Sequence, residues 1–263
     1  MTKTILVMLL CTNLLLGVVL ITQNRPGVLG SLFFEQELRT ALNRVLPEKI
    51  FDSVWNNLVS FSTYFESADG YSISNTNGTS TVGVNGLLMQ TGATSGNSTL
   101  FRKTSNNLSA TTSRIYSFRK PQRFRTDFEV NSTSNVIFAV ARGGDVNSTT
   151  EIYYGFRLSS STLSGVSRNG GTESSVTIST STRPNTVYLV EARYFPNGKI
   201  IYLLRNNITN IMDVVGVITT NIPSSTASIS SSTKPLFNYF LRTDSTADKQ
   251  AQVSFFEYMQ EAP

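Results

Sequence analysis

Histidine is absent from the chain and cysteine occurs once, at Cys11. Ser-His-Asp and Cys-His catalysis, multi-thiol or imidazole zinc sites and an intrachain disulfide are therefore excluded. The chemistry left is that of carboxylates, Lys and Arg. Asp127 and Glu129 stand one residue apart in RFRTDFEV, where polar and apolar side chains alternate. On a strand they share a face, and carboxylates so placed could reach the ~5 Å separation at which glycosidases work. Arg123 and Arg125 share that face, which fits a solvated, charge-mixed outer strand better than a catalytic pair. Asp145 in the Gly143-Gly144-Asp145 turn, with Glu151 beyond it, is the only tempting calcium cluster. A hard cation wants several oxygen ligands, typically with more than one carboxylate among them, and a Gly-rich segment with one Asp reads as a turn. Gly170-Gly171 leads into no helix and is a turn as well. Neither a metal nor a cofactor is expected.

Binding is the better-supported reading. Arg114, Arg119, Lys120, Arg123 and Arg125 cluster, with Tyr116, Phe118 and Phe124 between them. Clustered cations attract acidic glycans, lipid surfaces or nucleic acid. A solvated loop leading into a strand explains the same residues more simply, its aromatics then being core. Nucleic acid is not expected as the partner of an exported domain. The polar sides of neighbouring strands supply six candidate ligand contacts: Arg125, Asp127, Tyr153, Arg157, Glu191 and Arg193. Tyr can stack on the apolar face of a sugar while Arg and carboxylates pair with its hydroxyls. The N-x-S/T pattern at Asn77, Asn97, Asn107, Asn131, Asn147 and Asn207 is no denser than chance gives in so Asn-, Ser- and Thr-rich a chain.

These residues need elements to hold them. The chain has 263 residues, 40% hydrophobic and 15% charged, with a net charge of +5, enough apolar content for a real core. RFRTDFEV predicts a half-buried strand over 123–130, with Phe124, Phe128 and Val130 inward. NVIFAVAR (135–142) is apolar on both faces, as a strand covered on both sides should be. EIYYGFRL (151–158) sends Ile152, Tyr154, Phe156 and Leu158 to one side. VYLVEARY and KIIYLLRN flank Phe195-Pro196-Asn197-Gly198, and Asn-Gly tolerates the positive φ of a tight hairpin. QVSFFEYM (252–259) predicts one late strand. Many short strands joined by Gly-, Ser-, Thr- and Asn-rich turns predict an all-β, two-sheet antiparallel sandwich, and a jelly-roll arrangement would protect its edges in part.

The amino terminus is different. A run without charge begins at Ile5 and ends at Ile21, at the lower limit for a membrane-spanning helix. No small-residue cleavage site follows it, so an uncleaved membrane anchor is preferred over a signal peptide, with Cys11 a small hydrophobe inside it. After Arg25-Pro26-Gly27, apolar residues at helical spacing begin at Leu32 and end at Leu58, interrupted at Pro47. This stalk either packs on the domain beyond it or self-associates into a homo-oligomer; no sustained heptad supports a coiled coil. The expected organisation is an anchor over 1–24, a helical stalk over 25–61 and a sandwich domain over 62–263.

The order of segments resembles the concanavalin A-like lectin/glucanase superfamily, which includes laminin G-like and pentraxin-like modules. The stretch from Phe65 to Tyr71 is similar to the family's first strand, GLLMQTGATSGNSTLFRK to its early hairpin, and DFEV, YYGFRL and VYLVEARYFPNGKIIYLL to its central portion. QVSFFEYMQ resembles the closing strand beside the first. The resemblance implies a jelly roll that offers a polysaccharide or a protein a binding surface. Hydrolases of the family carry E-x-D-x-x-E or E-x-D-x-E strands, which this chain lacks, Asp127-Phe128-Glu129 being the nearest string. The preferred expectation is a non-enzymatic protein on the outer face of a membrane, a cell envelope or a virion, binding a glycan or a surface protein. A purely structural assembly subunit and a divergent carboxylate-based glycoside hydrolase are the alternatives.

Overall fold

The computed structural model describes residues 58–65, 71–104, 118, 120–196, 198–224 and 235–261. In chain order the first eight strands are β1 (Leu58–Thr63), β2 (Ser72–Thr76), β3 (Thr79–Gly83), β4 (Gly86–Gln90), β5 (Ser98–Thr104), β6 (Gln122–Val130), β7 (Val136–Gly143) and β8 (Tyr153–Ser159). They are followed by β9 (Thr162–Asn169), β10 (Thr172–Ser179), β11 (Tyr188–Phe195), β12 (Lys199–Arg205), β13 (Met212–Ile218), β14 (Pro235–Thr243), β15 (Gln250–Val253) and β16 (Phe256–Glu261). Among the described residues there is no helix, hence none long and apolar enough to cross a membrane.

The strands form two antiparallel sheets. One runs β10-β9-β8-β7-β14-β5-β2. The other runs β13-β12-β11-β6-β15-β4-β3, with β16 also pairing β6 and carrying β1 on its far side. Period-two alternation decides what lies between the layers. β6 is buried at every second residue, with Phe124, Phe128 and Val130 inward and Arg123, Arg125, Asp127 and Glu129 outward. Opposite them, β7 contributes Phe138 and Val140, β8 contributes Tyr154, Phe156 and Leu158, and β14 contributes Phe237, Tyr239 and Leu241 to the same core. The sheets approach closely at Gly165, where an added Cβ would lie 2.6 Å from the ring of Tyr202.

The expected all-β sandwich is present, and the strands of its centre fall where the pattern puts them. β7 is covered on both sides: Ala139 and Ala141 turn away from the main core into a smaller one with Leu100, Val146, Tyr153, Val166 and Phe240. The β11–β12 hairpin turns at Gly198, whose φ is +98°. Three expectations differ. The late strand is two, β15 and β16, broken at Ser254 and Phe255. The stretch from Gly86 to Lys103 is no hairpin: β4 belongs to one sheet and β5 to the other, and the early hairpin is β3–β4. Leu58, the end of the expected helical stripe, opens β1. The anchor, the rest of the stalk and most of the segment between Phe65 and Tyr71 lie outside the described residues.

Candidate ligand-binding face

The outward side of the nine-stranded sheet carries a row of charges because three adjacent strands present polar positions in register. On β6, Arg125 stands opposite Glu191 of β11 on one flank and Glu257 of β16 on the other. Its neighbour Arg123 stands opposite Arg193 and Met259. Glu257 Oε2 lies 3.1 Å from Arg125 Nη2 and 3.5 Å from Arg123 Nη2, so one carboxylate is shared by two guanidinium groups. Arg193 Nε donates to Glu191 Oε1 at 2.5 Å, and Glu191 is only 2% exposed. Arg123 Nη2 also lies 3.1 Å from the Met259 sulfur. The Arg125 guanidinium sits 5.8 Å from the centre of the Phe255 ring, within cation–π range.

The pairs that Arg123 and Arg125 make with Glu257 are partly open to solvent and contribute only about 0–1 kcal/mol each, whereas the buried Glu191 carboxylate depends on its guanidinium partner. Like charges directly opposite one another on adjacent strands, as Arg123 and Arg193 are, work against the sheet.

Asp127, on the same face, has a different occupation. Its Oδ1 accepts the backbone N–H groups of Ser254 at 2.8 Å and Phe255 at 3.2 Å. Beside it, the Thr126 hydroxyl donates to the Phe255 carbonyl at 2.6 Å and meets the Tyr239 hydroxyl at 2.8 Å. Two neighbouring residues of β6 thus satisfy the backbone groups that the break between β15 and β16 takes out of the ladder. Glu129 has no hydrogen-bond or ion-pair partner among the described residues.

Tyr153 and Arg157 lie on the outer side of the seven-stranded sheet, so the six candidate residues divide between two faces: Arg125, Asp127, Glu191 and Arg193 on one, Tyr153 and Arg157 on the other. Tyr153 is fully buried beneath the β7–β8 loop. Its hydroxyl donates to Glu173 of β10, and Arg157 grips the same carboxylate with two nitrogens, at 2.5 and 2.9 Å. Arg157 also donates to the Val146 carbonyl at 3.1 Å, while Arg168 of β9 reaches the Tyr153 hydroxyl at 3.2 Å and the Thr149 carbonyl at 2.8 Å. Burial raises the Glu173 carboxyl, but hydrogen bonds from Arg157 and Tyr153 outweigh it and leave the group below its ordinary value. Burial and the bond to Glu173 push the Tyr153 phenol up. This cluster clamps the loop to the sheet.

In that loop the Asp145 N–H donates to Glu151 Oε2 at 2.7 Å, and Asp145 Oδ1 accepts the Asn147 N–H at 2.8 Å. The two carboxylates weighed as calcium ligands thus serve the backbone of the turn. Among the described residues no three His, Cys, Asp or Glu side chains gather as metal ligands. Of the basic cluster, Phe118 and Phe124 are core, Arg123 and Arg125 are in the charged row, and Arg114, Tyr116 and Arg119 lie outside the described residues. The sequence reading overlooked Glu257 and Phe255. Alternation in the late strand marks Glu257 as outward, but nothing local announces that it arrives beside Arg125.

The two sheets, their strand order and the inward aromatics define a concanavalin A-like jelly roll. The sequence matches no protein-family model, and no curated protein matches it. The fold is similar to a crystal structure described as a native glycosidic hydrolase, with a TM-score of 0.53 at 9% identity over 76% of this chain and 95% of that one. It is similar to a prokaryotic β-1,3-1,4-glucanase (lichenase) derived from a mouse hindgut metagenome, with a TM-score of 0.52 at 9% identity over 76% and 98%. The exoplasmic/lumenal domain of VIP36, in its Ca2+/Man3GlcNAc-bound form, gives a TM-score of 0.50 at 11% identity over 75% and 87%. At such identities the likeness is one of fold.

Proposed function

We propose that this protein is a non-enzymatic surface protein whose jelly-roll head binds a glycan or a glycan-bearing surface protein on the outer face of its nine-stranded sheet. The observation that carries this reading is the row Arg193–Glu191, Arg125, Arg123–Glu257. It lays guanidinium donors beside carboxylate acceptors at strand spacing, which suits the hydroxyl pairs of a sugar chain. Opposed Arg123 and Arg193 are a cost to the sheet, and a ligand for the face supplies a reason for the chain to bear it. In this reading the apolar run from Ile5 to Ile21 anchors the head on the outer side of a membrane, an envelope or a virion, and the stalk between Leu32 and Leu58 spaces or oligomerises it.

Solved structures of this fold include both glycosidases and a saccharide-bound lumenal domain, so the choice rests on the residues. Asp127 Oδ1 accepts two backbone amides, a structural occupation that speaks against its serving as the second carboxylate of a pair with Glu129. Glycan-array signal from the wild-type chain, lost in Arg125→Ala, which leaves Glu257 paired with Arg123 and Glu191 with Arg193, and lost with an unchanged melting temperature, supports this reading; unchanged signal rejects the face. Release of reducing ends from a β-glucan, abolished by Glu129→Gln, would instead establish the hydrolase.

A second reading, a structural subunit packed against other coat proteins, is favoured by exposed Ile208, Ile211, Val214 and Val217 around β13. Concentration-dependent association in analytical ultracentrifugation, abolished by Val214→Lys/Val217→Lys, tests it.

A further inference from the structure

The nine-stranded sheet forks. Beyond β6 one branch continues through β15 to β4 and β3, the other through β16 to β1, and they part at Ser254 and Phe255. Val253 still pairs Leu87 of β4, whereas Phe256 already pairs Thr63 of β1. The end of β1 and the tip of the β3–β4 hairpin therefore face each other across a gap. A cleft of about 700 Å³ occupies it, lined by Tyr64, Val84, Asn85, Gly86 and Ser254.

We infer that this cleft is a binding subsite for a neutral pyranose, with Tyr64 as the ring on which the sugar stacks. Tyr64 is 66% exposed and Val84 fully so, so an aromatic face and an aliphatic side chain are both open to a ligand in the cleft. The backbone that carries Tyr64 is held in place. The next residue, Phe65, has a φ of +56°, a left-handed conformation that bulky residues rarely adopt. The Phe65 ring is fully buried, edge-on at 5.8 Å to both Phe101 and Tyr239, and this packing sustains the strain. With Phe65 locked in the core, Tyr64 is left outside it, its ring centre 6.4 Å from that of Phe255.

The ligand class follows from the lining. None of the five residues is charged, which disfavours ionic ligands. The Asn85 amide and the Ser254 hydroxyl have no hydrogen-bond partner among the described residues, so both can bond sugar hydroxyls. Gly86, at φ +93°, has no room for a Cβ against the Val253 backbone, which holds the hairpin tip close to the fork. Phe255 connects the cleft to the charged row, since its ring touches Tyr64 on one side and the Arg125 guanidinium on the other. This subsite rests on the glycan-binding reading and extends it: one sugar chain lies along the charged row and ends in the cleft.

Surface plasmon resonance of the full-length chain over immobilised gluco- and manno-hexasaccharides tests it. The wild type is expected to bind at least one of these, Tyr64→Ala to weaken that binding at least tenfold, and Tyr64→Trp, which keeps a stacking ring, to retain it. Exposed Tyr64 leaves the melting temperature of both variants near that of the wild type. Loss of binding in Arg125→Ala with none in Tyr64→Ala overturns the subsite and leaves the charged face standing. Loss in Tyr64→Ala alone upholds the subsite and overturns the role of the row. Equal loss in Tyr64→Trp and Tyr64→Ala overturns stacking, and a wild type that binds neither hexasaccharide overturns both proposals.

Discussion

Among the candidate residues, Asp127 shows how a side chain that looks available for a ligand is already employed. One of its oxygens, Oδ1, accepts the amides of Ser254 and Phe255 at the break between β15 and β16, and removing it strands both donors. Asp127→Ala is expected to lower unfolding free energy by about 1–3 kcal/mol, read from urea denaturation. Asp127→Asn keeps an acceptor there and is expected to cost less. Equal losses in the two variants would mean that the carboxylate charge matters and the amide bonds do not. Tyr153 teaches the same lesson from the other side. Its alternation is outward, yet outward on β8 means beneath a loop, so a position read as wet is fully buried.

At the scale of elements, that loop is held by two devices. Asn238 of β14, itself fully buried, accepts the Val146 N–H at 3.0 Å and donates to the Gly144 carbonyl at 2.8 Å. The second is the cluster of Tyr153, Arg157 and Arg168 around Glu173. Because the Glu173 carboxyl lies below its ordinary value in the folded protein, its contribution is present above about pH 4.3, the unfolded value, and is lost as pH falls through the lower folded value. Glu173→Gln is therefore expected to be less stable than the wild type at pH 7, with the gap closing below about pH 4. A gap of constant size across that range, measured by thermal melts, would show that the Glu173 charge plays no part. The break between β15 and β16 is also an element-scale device, since it splits one sheet into two branches and so opens the cleft between them.

For the whole molecule, the density of aromatic side chains between the sheets has a consequence at high pH. Burial pushes the Tyr194 phenol up to about 12 and drives Tyr154, Tyr202 and Tyr239 well above the ordinary tyrosine value. The stability these groups supply is complete below about pH 10, where the unfolded chain also keeps its phenols protonated. It is lost as pH rises toward the folded values, because only the unfolded state releases protons in that window. The urea midpoint is expected to fall steeply between about pH 10 and 12; a midpoint level across that interval would show that the core phenols are not sealed from solvent.

Strand identity and facing were legible because they are local: a period of two in RFRTDFEV or EIYYGFRL puts each side chain on one side or the other whatever the rest of the chain does. Exclusion of imidazole chemistry, of multi-thiol sites and of an intrachain disulfide was legible for a plainer reason, since the chain has no histidine and a single cysteine. The strand partners were decided only by the tertiary structure, because hydrogen-bonded pairing joins residues more than a hundred positions apart, as it joins Glu257 to Arg125 and Tyr258 to Phe124. No local pattern records such a pairing. It alone determines that four candidate residues share one face, that two lie clamped on the other, and that a sheet forked at Ser254 leaves an exposed tyrosine over a cleft.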